Sequence, residues 1–236
     1  MNGVRCMFGM SEERLDVSTV PNHAPAIDGF AEYLNGAPFA CYVNTSAEAG
    51  RSVPHLHINA VPASEVPLLK GRRSAWGVRI PGSTAVISWL NGIRYFALTV
   101  EGPVLEDVLD TLVALQEILI ELKIAYNVIA VPEMCADGNR ARFAIVPRGS
   151  CYIEEAQQKI AGFELMTGLL IPAKAVWEDM SEETRDVSIA KATFDFVAAQ
   201  RLVAQLSDRF EDATLCKPDI AMAAVRPCYS WSTVTA

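Results

Sequence analysis

Apolar and polar residues alternate over several short stretches of this chain, and two longer stretches repeat at helical spacing instead. Phe39 to Asn44, Trp76 to Ile80, Ala85 to Leu90 and Tyr95 to Val100 read as strands, the last three separated by Pro-Gly and Asn-Gly turn signals. Tyr126 to Val131 and Arg142 to Val146 read as a hairpin across Asp137-Gly138. Phe163 to Ile171 reads as one more strand. Between the strands, Val104 to Lys123 carries Leu105, Val108, Leu109, Leu112, Leu119 and Leu122 along one stripe, with Pro103 opening the helix and Glu106 and Asp107 at its positive end. Ser181 is a suitable N-cap for a second long helix reaching about Leu206, with Glu182 and Glu183 in its first turn. Strands grouped before and after one long helix, with another helix near the end, predict an α+β fold with an antiparallel sheet. No G-x-G-x-x-G, P-loop or repeated βαβ unit is present.

The remaining segments set the expected boundaries. Residues 1–36, with Pro21 and Pro25, read as an N-terminal arm, 37–207 as the main domain and 208–236 as an irregular tail. At 236 residues and 51% apolar content the chain can bury a real core, so one domain is expected. A net charge of −8 argues against a nucleic-acid partner, which needs a broad basic face, but leaves room for one small anionic ligand. Six scattered cysteines form no C-x-x-C pair. Charges or prolines interrupt every apolar run before 18 residues, and no leader-like start is seen. A soluble cytoplasmic protein with no membrane partner is the expectation.

The chemistry concentrates in Pro54-His55-Leu56-His57-Ile58-Asn59, which holds two of the three histidines. On a strand, His55, His57 and Asn59 would project from one face and Leu56 and Ile58 from the other. Three readings compete. Chance placement of packed or surface histidines is the plainest. A metal site is the second: Gly50, His55, His57, Glu65 and Gly71 follow the order of a cupin's first motif, but the spacings differ and no histidine follows residue 57. The third is a nucleophile. A neutral imidazole attacks phosphorus without a partner base and yields a phosphoramidate that a second acceptor cleaves. Asn44, Gly50 and Ser52, in the small-residue loop before the histidines, are placed to hold phosphoryl oxygens.

The stretch Asn44-Thr-Ser-Ala-Glu-Ala-Gly50-Arg-Ser52-Val-Pro54-His55-Leu-His57-Ile-Asn59 resembles the active-site segment of the HIT-like nucleotidyltransferases. It is most similar to the diadenosine tetraphosphate phosphorylases (N-S-G-x-x-x-G-A-S-x-P-H-x-H-x-Q) and GDP-sugar phosphorylases, and more distantly to galactose-1-phosphate uridylyltransferase, whose cysteine-based zinc motif has no counterpart here. Tyr126-Asn127-Val128-Ile129, Val146-Pro147-Arg148 and Gly162 to Leu170 resemble later blocks of the phosphorylases, in the same order.

The resemblance implies a HIT-like antiparallel sheet, a half-barrel, in a catalytic domain over 37–207. It implies that His57 is the nucleophile, that His55 orients it, and that Asn59 stands where the family has Gln. Asn44, Gly50, Arg51, Ser52 and Arg148 become the substrate-binding candidates. The implied activity is transfer of a nucleoside monophosphate from a sugar nucleotide or dinucleoside polyphosphate to phosphate or a sugar phosphate, by a monomer or homodimer. No cofactor is required; Mg²⁺ commonly accompanies such nucleotides. The departure at Asn59 shortens the side chain by one methylene, about 1.5 Å. It keeps open two alternatives: a nucleotide hydrolase of the same fold, and a non-catalytic nucleotide-binding protein. Lys70, Arg72 and Arg73 form either a phosphate clamp or a solvated turn, and Trp76, Trp89 and Trp177 either stack a base or pack the core.

Overall fold

The computed structural model describes residues 39–51, 58–63, 66, 68, 71–135, 138–154, 157–167 and 180–210, the side chains at 39, 62, 131–135 and 138–141 excepted. Seven strands form one antiparallel sheet: β1 (Phe39–Asn44), β2 (Asn59–Pro62), β3 (Arg72–Val78), β4 (Val86–Asn91), β5 (Leu98–Glu101), β6 (Tyr126–Cys135) and β7 (Gly138–Pro147), in the spatial order β2-β1-β6-β7-β5-β4-β3. A two-stranded ribbon, β8 (Tyr152–Ile153) and β9 (Gln158–Lys159), lies outside it. The helices are α1 (Leu105–Glu121), α2 (Gly162–Thr167), α3 (Glu182–Lys191) and α4 (Phe196–Arg209). The chain is therefore α+β, as its alternation predicts.

The β6–β7 hairpin is the spine of the sheet. Its pairing runs from Tyr126 opposite Pro147 to Cys135 opposite Gly138, so both strands extend several residues beyond the expected hairpin. Strand alternation then gives the sheet two unlike faces. Cys41, Val43, Ile87, Leu98, Val100, Val128, Ala130, Phe143 and Ile145 share the first face with α1 and α4. From α1, Val108, Leu112, Leu115 and Leu119 pack there at i, i+4, i+7 and i+11, while Leu105, expected in the stripe, is exposed. Burying a leucine completely contributes about 1.5–3 kcal/mol, and Leu112, Leu115 and Leu119 are all 0% exposed.

Side-chain bonds fasten α1 at its start. Asp107 accepts from the Thr84 backbone N–H (2.8 Å) and hydroxyl, tying the first turn to the β3–β4 connection. Those bonds hold the Asp107 carboxyl below the ordinary aspartate range. Lys123, in the left-handed region (φ 56°), ends the helix, and the Ile124 N–H returns to Leu119 O at 2.8 Å.

The second face carries Ala40, Tyr42, Leu90, Ala97, Ile129, Ala144 and Val146, covered by Ile153, Ile160, α2 and α3. Here two expectations are corrected. Phe163 to Thr167, the described part of the expected strand, is helical within Gly162–Thr167: Leu, Met and Glu are good helix formers, and the Glu164 carboxylate accepts the Ala161 N–H at 2.8 Å, capping the turn. The expected single helix from Ser181 is two helices. Ser181 does cap α3, accepting from Thr184 N, but the chain leaves the helix after Lys191, Thr193 bridges to Arg148, and Asp195 caps α4 by accepting from Ala198 N at 2.8 Å. The expected basic turn is also partly strand, since Arg72 and Arg73 open β3. Phe210 packs onto the first-face core, just beyond α4.

Candidate functional site

Ser52, His55 and His57 lie outside the described residues. What the structure describes is the frame on either side of them. Asn44 is the last residue of β1, and the chain then turns through Thr45–Arg51. That turn is held by its own backbone: Arg51 N donates to Ser46 O at 2.9 Å, Gly50 N to Ala47 O at 3.0 Å, and Ala49 N to Ser46 O at 3.1 Å. The Thr45 hydroxyl donates to Tyr126 O, pinning the turn to the start of β6. Gly50 has φ +90°, and a Cβ there would lie 2.7 Å from the Ala161 Cβ, so glycine is needed for both conformation and approach. On the far side, Asn59 re-enters the sheet opposite Tyr42. Paired residues share a face, so Asn59 projects on the same side as Tyr42 and Asn44, while Ile58 and Ala60 pack toward the first-face core.

Beneath this loop is a buried polar cluster. Asn44 and Asn127 are opposite each other in register. Asn127 donates from Nδ2 to Asn44 Oδ1 (2.7 Å) and to Ala49 O (2.9 Å), and accepts from Arg148 Nη1 (3.0 Å). Asn44 Oδ1 also accepts from Gly162 N at 2.9 Å. Arg148 reaches Ser150 O at 3.4 Å and Ile160 O, while its backbone N donates to Ala125 O at 2.8 Å. All three side chains are buried: Asn44 at 7%, Asn127 at 0% and Arg148 at 4% exposure. Gly162 must be glycine here, because a Cβ would meet the Tyr42 ring and lie 2.9 Å from Asn44 Oδ1.

Charge in the cluster follows from burial. Desolvation pulls the Arg148 guanidinium down to about 10, against the opposing pull of Cys151, Glu164 and Tyr95, so it stays cationic at neutral pH. Burial pushes the Glu164 carboxyl above the ordinary glutamate range; the N–H groups of Ala161 and of Glu164 itself, and then Arg148, oppose it. Tyr95, whose hydroxyl donates to Leu165 O, is pushed up by burial as well. In the loop, Glu48 is held low by its own backbone N–H, then by Ser46 and Arg51.

The structure thus links Asn44 and Arg148 through Asn127, sets Gly50 and Arg51 in the turn after Asn44, and puts Asn59 on the same sheet face as Asn44. Arg148, matched to a family position that could reach phosphate, is engaged with Asn127, Ser150 and Ile160 instead. The other basic candidates lie elsewhere: β3, with Arg72 and Arg73, is the opposite sheet edge from β2, and Arg73 pairs with Glu101 at 3.3 Å. Trp76 and Trp89 stack on each other, centroids 4.9 Å apart, within or against the first-face core. Asn127 and Gly162 stood only within blocks matched to the family, with no role of their own. One signal was available for Asn127: a carboxamide at an inward position of a strand otherwise reading Tyr-Val-Ile-Ala-Val. Among the described residues no group of three or more His, Cys, Asp or Glu converges as a metal would require, and no helix is long and apolar enough to cross a membrane.

Comparison with protein-family models, curated proteins and solved structures finds no match to this chain.

Proposed function

We propose that this chain is a nucleotidyltransferase or phosphorylase of HIT-like type, transferring a nucleoside monophosphate through His57. One observation carries the reading beyond the motif. The loop entering the histidine segment is fixed at its start by a buried, mutually hydrogen-bonded set (Asn44, Asn127, Arg148, Gly162), and the residue leaving that segment, Asn59, projects on the same sheet face. Rigid support beneath a small-residue loop is what holding a phosphoryl group in line with an attacking nitrogen requires, since placement alone supplies about 7–11 kcal/mol of such barriers. In the reaction, the imidazole nitrogen forms a P–N bond as the P–O bond to the leaving phosphate breaks. An oxygen of phosphate or a sugar phosphate then displaces the nitrogen and restores neutral His57. The acceptor determines whether the outcome is phosphorolysis or hydrolysis.

A second reading, a nucleotide-binding protein without turnover, is favoured by two observations. Asn59 is a methylene shorter than glutamine, and a displacement near 1 Å can cost about a hundredfold in rate. Both terminal nitrogens of Arg148 are also bonded within the protein, Nη1 to Asn127 and Nη2 to Ser150 O and Ile160 O. Incubation with α-phosphate-labelled nucleotides and sugar nucleotides separates the two. Acid-labile label on wild type and none on His57→Ala supports transfer. Tight binding without label on either protein supports the binding module, and neither binding nor label removes both readings.

A further inference from the structure

The direction of each hydrogen bond around Asn44 follows from groups whose roles cannot reverse. A guanidinium only donates, a peptide carbonyl only accepts, and a peptide N–H only donates. The Asn127 atom 3.0 Å from Arg148 Nη1 is therefore its oxygen. Its other terminal atom, 2.9 Å from Ala49 O, is the nitrogen. The Asn44 atom 2.7 Å from that nitrogen must then accept, and the same atom receives the Gly162 N–H at 2.9 Å. Both lone pairs of Asn44 Oδ1 are thereby used. Among the described residues none accepts from Asn44 Nδ2, on the last residue of β1 before the turn that leads to Ser52.

The geometry points to Asn127 and Arg148 as positioning residues that fix the polarity of the Asn44 carboxamide, so that Asn44 meets a ligand only as a hydrogen-bond donor, to a non-bridging phosphoryl oxygen. This rests on the reading above that the loop holds a phosphoryl group. It removes Arg148 from the phosphate-binding set and gives it a different task. Ser150 O and Ile160 O hold the guanidinium, the guanidinium orients the Asn127 amide, and that amide orients Asn44. Neither carboxamide can flip without setting two acceptors or two donors against each other inside a low-dielectric interior. The glycines at 50 and 162 let the two backbones approach closely enough for the bonds to form.

Asn44→Asp is the discriminating variant. A carboxylate still accepts from Asn127 Nδ2 and Gly162 N, so both inward bonds survive, while the outward donor becomes an anion. Affinities for ADP, GDP, UDP and inorganic pyrophosphate are measured by calorimetry on the full chain. For the best-bound probe, Asn44→Asp is expected to lose about tenfold to a hundredfold, the worth of one hydrogen bond to a charged group. Arg148→Lys is expected to lose affinity in the wild-type background and to lose nothing further in the Asn44→Asp background, because its effect passes through Asn44. In wild type, the Asn44 side-chain amide resonances should shift on saturation with that probe while those of Asn127 stay put, a measurement that needs no variant to fold. Additive losses would place Arg148 on the ligand itself and overturn the inference. So would unchanged affinity in Asn44→Asp or unmoved Asn44 resonances at saturation, with the transferase reading left standing. A wild-type chain that binds none of the probes overturns both.

Discussion

The two faces of the sheet are built from the same strands by opposite rules. The first takes side chains such as Ile87, Leu98, Val100, Phe143 and Ile145 and closes them under α1 and α4. The second interleaves apolar residues with Asn44, Ser88, Thr99 and Asn127, all buried, and is covered by short or broken elements. Polar groups in an interior cost free energy unless bonded. Asn127 is bonded to Asn44 and to Arg148, while among the described residues the Ser88 and Thr99 hydroxyls, opposite each other in register, have no partner. The lesson is a division of labour. One face supplies stability by area, and the other gives up some of it to hold polar groups in fixed directions.

Substitutions on each face test this division. The largest effect is expected on the first face: Leu112→Ala should cost about 2–5 kcal/mol in urea unfolding and leave nucleotide affinity unchanged well below the melting temperature. A change in affinity without loss of stability would dissolve the division. Next, Asn127→Leu strips partners from Ala49 O, Asn44 Oδ1 and Arg148 Nη1; about 1–3 kcal/mol of stability should go, with probe binding lost at the same time. Should binding persist at the wild-type level, the cluster is scaffolding only.

Smaller still is Thr99→Val. The isosteric methyl replaces an unpartnered buried hydroxyl, so stability should hold or rise by up to about 1 kcal/mol; a clear fall would reveal a bond that Thr99 makes in solution. The smallest effect is the pH dependence of Glu164. Burial raises its native value, so the folded chain binds that proton more readily than the unfolded one. Its contribution is fully present below the ordinary glutamate range and is lost as pH rises through the raised native value. The stability difference between wild type and Glu164→Gln, measured across that window, should therefore drift against wild type with rising pH. A flat difference would mean the carboxyl is not perturbed.

Much of the first face was legible in the sequence, because alternation and helical spacing are local signals that burial merely completes. The expected α1 stripe differs from the observed one at both sides: Leu105 faces solvent, while Leu115 and Ile118, not counted in the stripe, are buried. The second face was harder. Phe163 to Thr167 is a short apolar run that periodicity cannot assign, and the Glu164 bond to Ala161 N decides it as helix. The break between α3 and α4 depends on Thr193 bridging to Arg148, a contact spanning 45 positions that no local pattern carries. Asn44, Gly50 and Arg148 were singled out as residues that would touch substrate. Their bonds to Asn127, Ile160 and Gly162, and the close approach of Gly50 to Ala161, are tertiary facts, visible only once β1, β6 and the turn before α2 are side by side.

The cluster has a consequence for how the chain reaches its final form. The Asn44–Asn127 bond joins residues 83 apart, and the Asn44–Gly162 bond joins residues 118 apart. Links of that sequence separation impose their loop-closure entropy before any reward arrives, and topologies dominated by them acquire native contacts slowly. The hairpin of β6 and β7 and the helix α1 need only neighbours and can organise early. The fixed direction of the Asn44 carboxamide would then be among the last features the nascent molecule gains, because its partners arrive only after the chain has closed on itself.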